Sequence, residues 1–171
     1  MKKILASALT VVLMVSVVFS STGCKSKQVK EWYKETLEYY RDGIKNGFDD
    51  VVSKLSVPEE MKDKNNRFGY LLRDLDGDGI DELLIGMIDD GSCTKFTNVV
   101  VRHTDLGTYS LLNSIPGYYI YLCSDNVLQV DQWYGSETKK DFMKYKSKTS
   151  TFEIIEGEGK YLPMKWDLTE F

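Results

Sequence analysis

Residues 74–86 read DLDGDGIDELLIG. This stretch carries five carboxylates within nine residues, with two glycines between them and one basic neighbour, Arg73. Carboxylates this close together repel one another unless a cation lies among their oxygens. The five acidic residues are Asp74, Asp76, Asp78, Asp81 and Glu82. Oxygen ligands at alternate positions are typical of a calcium loop, so we predict that Ca²⁺ binds here.

The spacing assigns a role to each ligand, counted from Asp74 as position one. Positions one, three and five offer side-chain oxygens, position seven offers a backbone carbonyl, and position nine offers a carboxylate. Gly79 at position six permits the sharp turn between them. The predicted ligands are Asp74, Asp76, Asp78, the backbone oxygen of Ile80, and Glu82, with Asp81 as the alternative to Glu82. A metal-free turn rich in Asp and Gly is the competing interpretation.

Position twelve separates two kinds of calcium loop. An EF-hand needs a bidentate Glu there and helices on both sides, whereas this chain has Ile85 within an apolar run that is typical of a strand. The stretch resembles instead the FG-GAP loop of integrin α-chain propeller blades, whose pattern is close to DxDxDGxxD followed by a buried strand and Gly. The resemblance implies a calcium-binding β-hairpin. It does not imply a propeller, because a propeller needs about four or more blades and the chain has one such loop.

The first residues have the order of a secretory signal. Lys2 and Lys3 precede an uncharged apolar run at residues 4–19, and small residues follow at 20–23. The apolar run is shorter than the ~20 residues that a membrane-spanning helix needs. We predict a signal peptide over residues 1–23, a tether over 24–28 and a single domain over 29–171.

The sequence SSTGC at residues 20–24 resembles the lipobox of bacterial lipoproteins. In that family the cysteine receives a diacylglyceryl group and becomes the new N-terminus. The resemblance implies lipidation of Cys24 and a protein anchored in the membrane on its extracytoplasmic face, because two acyl chains suffice for stable anchoring. Ordinary signal cleavage with a free cysteine is the alternative. The whole layout resembles a group of small lipoproteins of Gram-positive bacteria, which implies no particular activity.

Hydrophobic periodicity predicts the fold class. Apolar residues between Val29 and Ile44 recur at spacings of three and four, as in an amphipathic helix. From Phe68 onward, short β-prone runs alternate with turn residues. We therefore predict an α+β fold in which an N-terminal helical segment packs on an antiparallel β-meander, with the calcium loop as the turn of one hairpin.

Two cysteines, Cys93 and Cys123, remain if Cys24 carries a lipid. Export permits a disulfide between them, and neighbouring strands of a meander could bring them together. Two buried, apolar thiols are the alternative.

Alternation along residues 118–122 and 127–134 divides these predicted strands into two faces. One face carries Tyr119, Tyr121, Asp131 and Trp133. Aromatic side chains interleaved with polar groups on an exposed sheet could bind a carbohydrate or protein ligand. If both faces are covered, the same aromatic side chains are ordinary core residues.

The net charge and the few potentially catalytic residues limit the possible functions. The net charge is −4, and removal of the leader takes away two lysines and no acids, so we expect no nucleic-acid partner. The single histidine, His103, has no partner motif for a catalytic triad or a zinc site. We expect a non-enzymatic binding or structural lipoprotein. The alternatives are a hydrolase of the cell envelope and an accessory or inhibitory module for a partner enzyme.

Overall fold

The computed structural model describes residues 31–48, 54–90, 92–103, 107–157 and 160–171. The predicted signal peptide, the lipidation site Cys24 and the tether lie outside these residues. The described part is mostly an antiparallel sheet with a small helical portion, so the predicted α+β class is confirmed. No helix in this part of the chain is long and apolar enough to cross a membrane.

The described residues include nine strands, which form one antiparallel sheet. In chain order they are β1 (Phe68–Arg73), β2 (Glu82–Met87), β3 (Phe96–His103), β4 (Gly107–Asn113), β5 (Tyr118–Leu122), β6 (Leu128–Tyr134), β7 (Glu137–Lys146), β8 (Thr151–Ile155) and β9 (Thr169–Glu170). They lie side by side in the order β8-β7-β6-β5-β3-β2-β1-β9, and β4 pairs with β3 outside this path. A simple meander would place β4 between β3 and β5, but β5 pairs directly with β3, through Phe96 and Ile120.

The amphipathic helix α1, Lys34–Asn46, packs on one face of β1–β3. Tyr40 is fully buried and donates a hydrogen bond from its hydroxyl to the carbonyl oxygen of Ser56 at 2.8 Å. A 3₁₀ helix, Glu59–Lys62, adds Met61 to the same cluster. The strand residues of this cluster are Phe68, Leu83, Ile85 and Val100. The apolar stripe of the N-terminal segment therefore packs on β1–β3, and hydrogen bonds from Thr36 and Tyr40 extend the contact to β4.

A second apolar cluster lies on the opposite face. It draws alternate residues from β2, β3, β5 and β6, among them Leu84, Phe96, Val99, Val101, Ile120, Leu122, Leu128 and Val130. Leu83, Leu84 and Ile85 are all fully buried, although they alternate between the two clusters. The strand β2 is thus buried on both faces, which explains why its sequence is continuously apolar.

The C-terminal residues attach to the sheet at several points. The strand β9 pairs with β1, and Trp166 pairs with Cys93 in an isolated bridge. The indole Nε1 of Trp166 donates a hydrogen bond to the carbonyl oxygen of Leu122 at 3.0 Å. A strand of two residues carries no alternation, so β9 has no signature in the sequence pattern.

Candidate metal centre and an exposed aromatic face

The acidic loop is the turn of the β1–β2 hairpin. The strands pair up to Arg73 and Glu82, and the residues between them form the loop. Gly77 and Gly79 have φ of +80° and +84°, a region that residues with a side chain rarely adopt. The two glycines let the chain turn sharply between successive carboxylates.

Three aspartates converge in this loop. Asp74, Asp76 and Asp78 each have an oxygen within 4.8 Å of the others. Asp74 is half-buried, whereas Asp78 is exposed and therefore accessible to an ion from solvent. An all-oxygen carboxylate set of this kind fits a hard cation such as Ca²⁺.

Backbone amides hold the three carboxylates in place. Asp74 accepts hydrogen bonds from the N–H groups of Gly77 at 2.7 Å and Gly79 at 2.8 Å. Asp78 accepts from the N–H of Ile80 at 2.7 Å, and Asp76 accepts from the N–H of Asp78 at 3.3 Å. Hydrogen bonds within the loop thus hold the three carboxylates in position.

No lysine or arginine among the described residues forms an ion pair with the three aspartates. Lys146 lines a cavity of about 640 Å³ together with Asp76 and Asp78, but its ammonium group forms an ion pair with Glu153 at 3.2 Å. No described ion pair includes any of the three aspartates. Lys144 and Lys148 also line this cavity, without a described ion pair to the loop. The three carboxylates therefore lie close together with no direct ion-pair partner among the described residues.

Two residues remote in sequence hold the loop against the sheet. Asn126 donates from Nδ2 to the carbonyl oxygen of Asp74 at 2.7 Å and accepts from Nε of Arg73 at 2.7 Å. The backbone N–H of Ser147 donates to Asp76 at 2.7 Å. Neither Asn126 nor Ser147 was predicted from the sequence to contact the loop. They lie 52 and 71 residues from their partners, and neither belongs to a recognisable motif.

Glu82, the predicted ligand at position nine, is almost completely buried. Its Oε2 accepts a hydrogen bond from the backbone N–H of Leu75 at 2.9 Å. Burial raises the pKa of the Glu82 carboxyl to about 8, and the negative charges of the three aspartates add to the rise. Among the described residues, the group of oxygens within 4.8 Å of one another contains the three aspartates but neither Glu82 nor Asp81.

Two of the three aromatic side chains on the predicted ligand face are open to solvent. Tyr119 is 41% exposed and Trp133 is 59% exposed, while Tyr121 and Asp131 are half-buried. Tyr119 lies directly opposite Asp131 in the register of β5 and β6. The apolar cluster beneath α1 takes its strand residues from β1–β3, which leaves these aromatic side chains uncovered.

Cys93 and Cys123 are both free and buried, so they are two buried thiols and not a disulfide. Burial raises the pKa of the Cys93 thiol to about 12 and that of the Cys123 thiol to about 11. Cys93 donates a weak hydrogen bond from Sγ to the carbonyl oxygen of Lys95 at 3.1 Å. The possible disulfide between Cys93 and Cys123 is not formed in this structure.

No family model, no curated protein and no solved structure matches the chain. The geometry of the loop and of the aromatic face is therefore what bears on function.

Proposed function

We propose that this protein is a membrane-anchored, extracytoplasmic lipoprotein with one structural calcium-binding loop, and that it serves as a non-enzymatic binding or structural module. The observation that carries the calcium part is the convergence of Asp74, Asp76 and Asp78 within 4.8 Å with no ion-pair partner among the described residues. A bound Ca²⁺ would relieve the repulsion between the three carboxylates.

The proposed role of calcium is stabilisation rather than signalling. The loop is already ordered by backbone hydrogen bonds to Asp74 and Asp78 and is tied to the sheet by Asn126. A site with a Kd of ~0.1 to 1 mM, as in extracellular modules, would gain roughly 0.4 to 1.4 kcal/mol of stability at millimolar calcium. A gain of this size strengthens the domain without switching its conformation.

The anchor is supported by the order of the first 24 residues, which end in the lipobox-like SSTGC. Cys24→Ala removes the acceptor of the lipid, so we expect the variant protein to leave the membrane fraction, where the parent protein remains. A variant that stays in the membrane fraction would contradict the lipid anchor. The two other functions considered, a hydrolase and an accessory or inhibitory module, are not favoured by any observation on the described residues.

Thermal melting tests the calcium site. We expect the melting temperature of the purified protein to rise when millimolar calcium replaces EDTA, and to rise less with magnesium, which demands a stricter octahedral geometry. The double variant Asp76→Asn and Asp78→Asn should lose the rise, because it removes two ligand charges while keeping amide oxygens that still accept hydrogen bonds.

The control is Glu35→Gln with Glu38→Gln, which removes the same charge from the exposed face of α1. This control should keep the full calcium-dependent rise. An unchanged rise in the aspartate variant, or no rise in the parent protein, would refute calcium binding at the loop.

A further inference from the structure

One open face of β5, β6 and β7 combines aromatic rings with hydrogen-bonding side chains. Tyr119 lies opposite Asp131 in the register of β5 and β6, and Lys140 lies opposite Asp131 in the register of β6 and β7. These three residues form a row across three strands. The helix α1 packs over β1–β3 and does not extend over β5, β6 and β7, so the row is not covered by the described helix.

A second row lies beside the first on the same face. Trp133 is opposite Thr138 in the register of β6 and β7. Trp133 shares the face of Asp131 and Thr138 shares the face of Lys140, because side chains two residues apart in a strand point to the same side. The exposed indole and the phenol ring of Tyr119 thus flank a strip of polar side chains.

The polar side chains of this face retain hydrogen-bonding capacity. Lys140 has neither an ion-pair nor a hydrogen-bond partner among the described residues. Asp131 accepts a hydrogen bond at one oxygen, Oδ1, from Nε2 of Gln129 at 2.6 Å. The ammonium group of Lys95 lies 4.6 Å from the centre of the Tyr119 ring. Donors and acceptors therefore lie next to the exposed rings.

A cavity of about 810 Å³ adjoins the two rows. Thr138 and Lys140 belong to its lining, so the face and the cavity are continuous. The other described lining residues include an apolar pair, Phe142 and Ile155, and charges of both signs, Glu156 and Lys160. The surface therefore offers apolar contact and polar partners within one connected region.

We infer that this face binds a polysaccharide, with sugar rings stacked on Trp133 and Tyr119 and sugar hydroxyls bound by Asp131, Thr138 and Lys140. A sugar ring presents apolar C–H groups on its faces and hydroxyls around its rim, which is the combination that this surface complements. A protein partner fits less well, because polar and charged side chains separate the exposed rings and prevent a continuous apolar patch. This inference rests on the proposed function as a binding module and names its ligand class.

Affinity gel electrophoresis of the full chain in a non-ionic detergent tests the inference. The probes are two uncharged polymers, hydroxyethyl cellulose and glycol chitin in its N-acetylated form, and one acidic polymer, polygalacturonate. We expect at least one polymer to retard the protein, and Trp133→Ala to raise the apparent Kd at least about tenfold, as for an exposed aromatic anchor. The melting temperature of Trp133→Ala should stay near that of the parent protein, because the side chain is largely exposed.

Matched controls come from neighbouring residues on the opposite face. Tyr134 is 60% exposed and points away from Trp133, so Tyr134→Ala should leave retardation unchanged. Lys139 pairs with Asp141 on the same opposite face, and Lys139→Ala is the control for Lys140→Ala. A loss in Lys140→Ala that is larger with polygalacturonate than with the uncharged polymers would assign the natural ligand to acidic polysaccharides. An equal loss would assign it to uncharged ones.

The inference fails if none of the three polymers retards the protein, or if Trp133→Ala and Tyr134→Ala behave alike. It also fails if Trp133→Ala is retarded as strongly as the parent protein. The calcium-dependent rise in melting temperature is measured separately. Loss of polymer binding with that rise intact would overturn the ligand class and leave the calcium site standing.

Discussion

The side chain of Asp76 accepts a hydrogen bond from the backbone N–H of Ser147, with 2.7 Å between Oδ2 and N, although 71 residues separate the two in sequence. Ser147 follows β7 directly, whereas Asp76 lies in the loop between β1 and β2. These strands are not neighbours in the sheet. The acidic loop therefore joins two distant parts of the sheet, and an ion bound there would strengthen that junction.

The bridge through Asn126 leads to the first prediction. Asn126→Gly removes the side chain that links Arg73 to the Asp74 carbonyl, while glycine tolerates the φ of +55° at this position. We expect the free energy of unfolding to fall by about 1 to 2 kcal/mol, the usual contribution of one or two hydrogen bonds, and the calcium-dependent rise in melting temperature to shrink.

The matched control is Asp125→Gly. Asp125 has a φ of +56°, is exposed and has no described side-chain hydrogen bond, so the glycine substitution relieves the same backbone conformation without removing a hydrogen bond. Because Asp125 lines the same cavity as Asp76 and Asp78, the two variants are compared in EDTA. Urea unfolding of both variants measures the difference. Equal stabilities would mean that the Asn126 bridge contributes nothing.

The second prediction concerns the carboxylate that completes the calcium site. The charge of Glu82 interacts with all three aspartates, whereas Asp81 has no described hydrogen bond or ion pair. We expect Glu82→Gln to reduce the calcium-dependent rise in melting temperature more than Asp81→Asn does. Both substitutions replace one carboxyl group with an amide that keeps one oxygen, so each serves as the control for the other. A larger effect of Asp81→Asn would assign the closing ligand to Asp81.

The third prediction tests why glycine follows the apolar run of β2. A Cβ at Gly86 would lie 2.3 Å from Sγ of Cys93 and 3.2 Å from the carbonyl oxygen of Lys95. We expect Gly86→Ala to destabilise the domain by roughly 1 to 3 kcal/mol, as overpacked cores do.

Cys93→Ala removes the sulfur atom that causes the closest clash. The double variant Gly86→Ala with Cys93→Ala should therefore be more stable than the sum of the two single effects predicts. Denaturant unfolding of the two single variants and the double variant measures this coupling. Strict additivity would show that the contact with Cys93 is not the source of the cost.

The fourth prediction concerns the reactivity of the two buried thiols. The raised pKa values of about 12 for Cys93 and about 11 for Cys123 keep both sulfurs protonated at pH 8, where the thiolate is the reactive form. In a Cys24→Ser background, we expect the folded protein to react slowly with an aromatic disulfide reagent at pH 8 and faster as the pH approaches 11.

Both thiols should react at once in denaturant without a reducing agent, because unfolding exposes them and restores their ordinary pKa. Counting the thiols released under the two conditions is the measurement. The absence of reactive thiols in denaturant would mean that Cys93 and Cys123 form a disulfide after all.

Much of the fold could be predicted from local patterns. The helix and the hairpin follow from apolar periodicity and from a run of Asp and Gly, and both signals depend on residues close together in the chain. The aspartates of the candidate calcium site were predicted for the same reason, since Asp74, Asp76 and Asp78 lie within a single loop. The placement of β4 and the pairing of β9 could not be predicted, because short strands that could pair in several ways carry no information about their neighbours.

The sequence by itself determined the acidic hairpin loop, the alternation that places Tyr119, Asp131 and Trp133 on one face, and the α+β class. These features follow from the spacing of residues along the chain, which does not depend on tertiary contacts. Only the tertiary structure decided that α1 covers β1–β3 and leaves this aromatic face open, since that depends on which apolar surfaces bury each other. It also decided that Asn126 and Ser147 hold the loop, because contacts across 52 and 71 residues exist only once the sheet has formed.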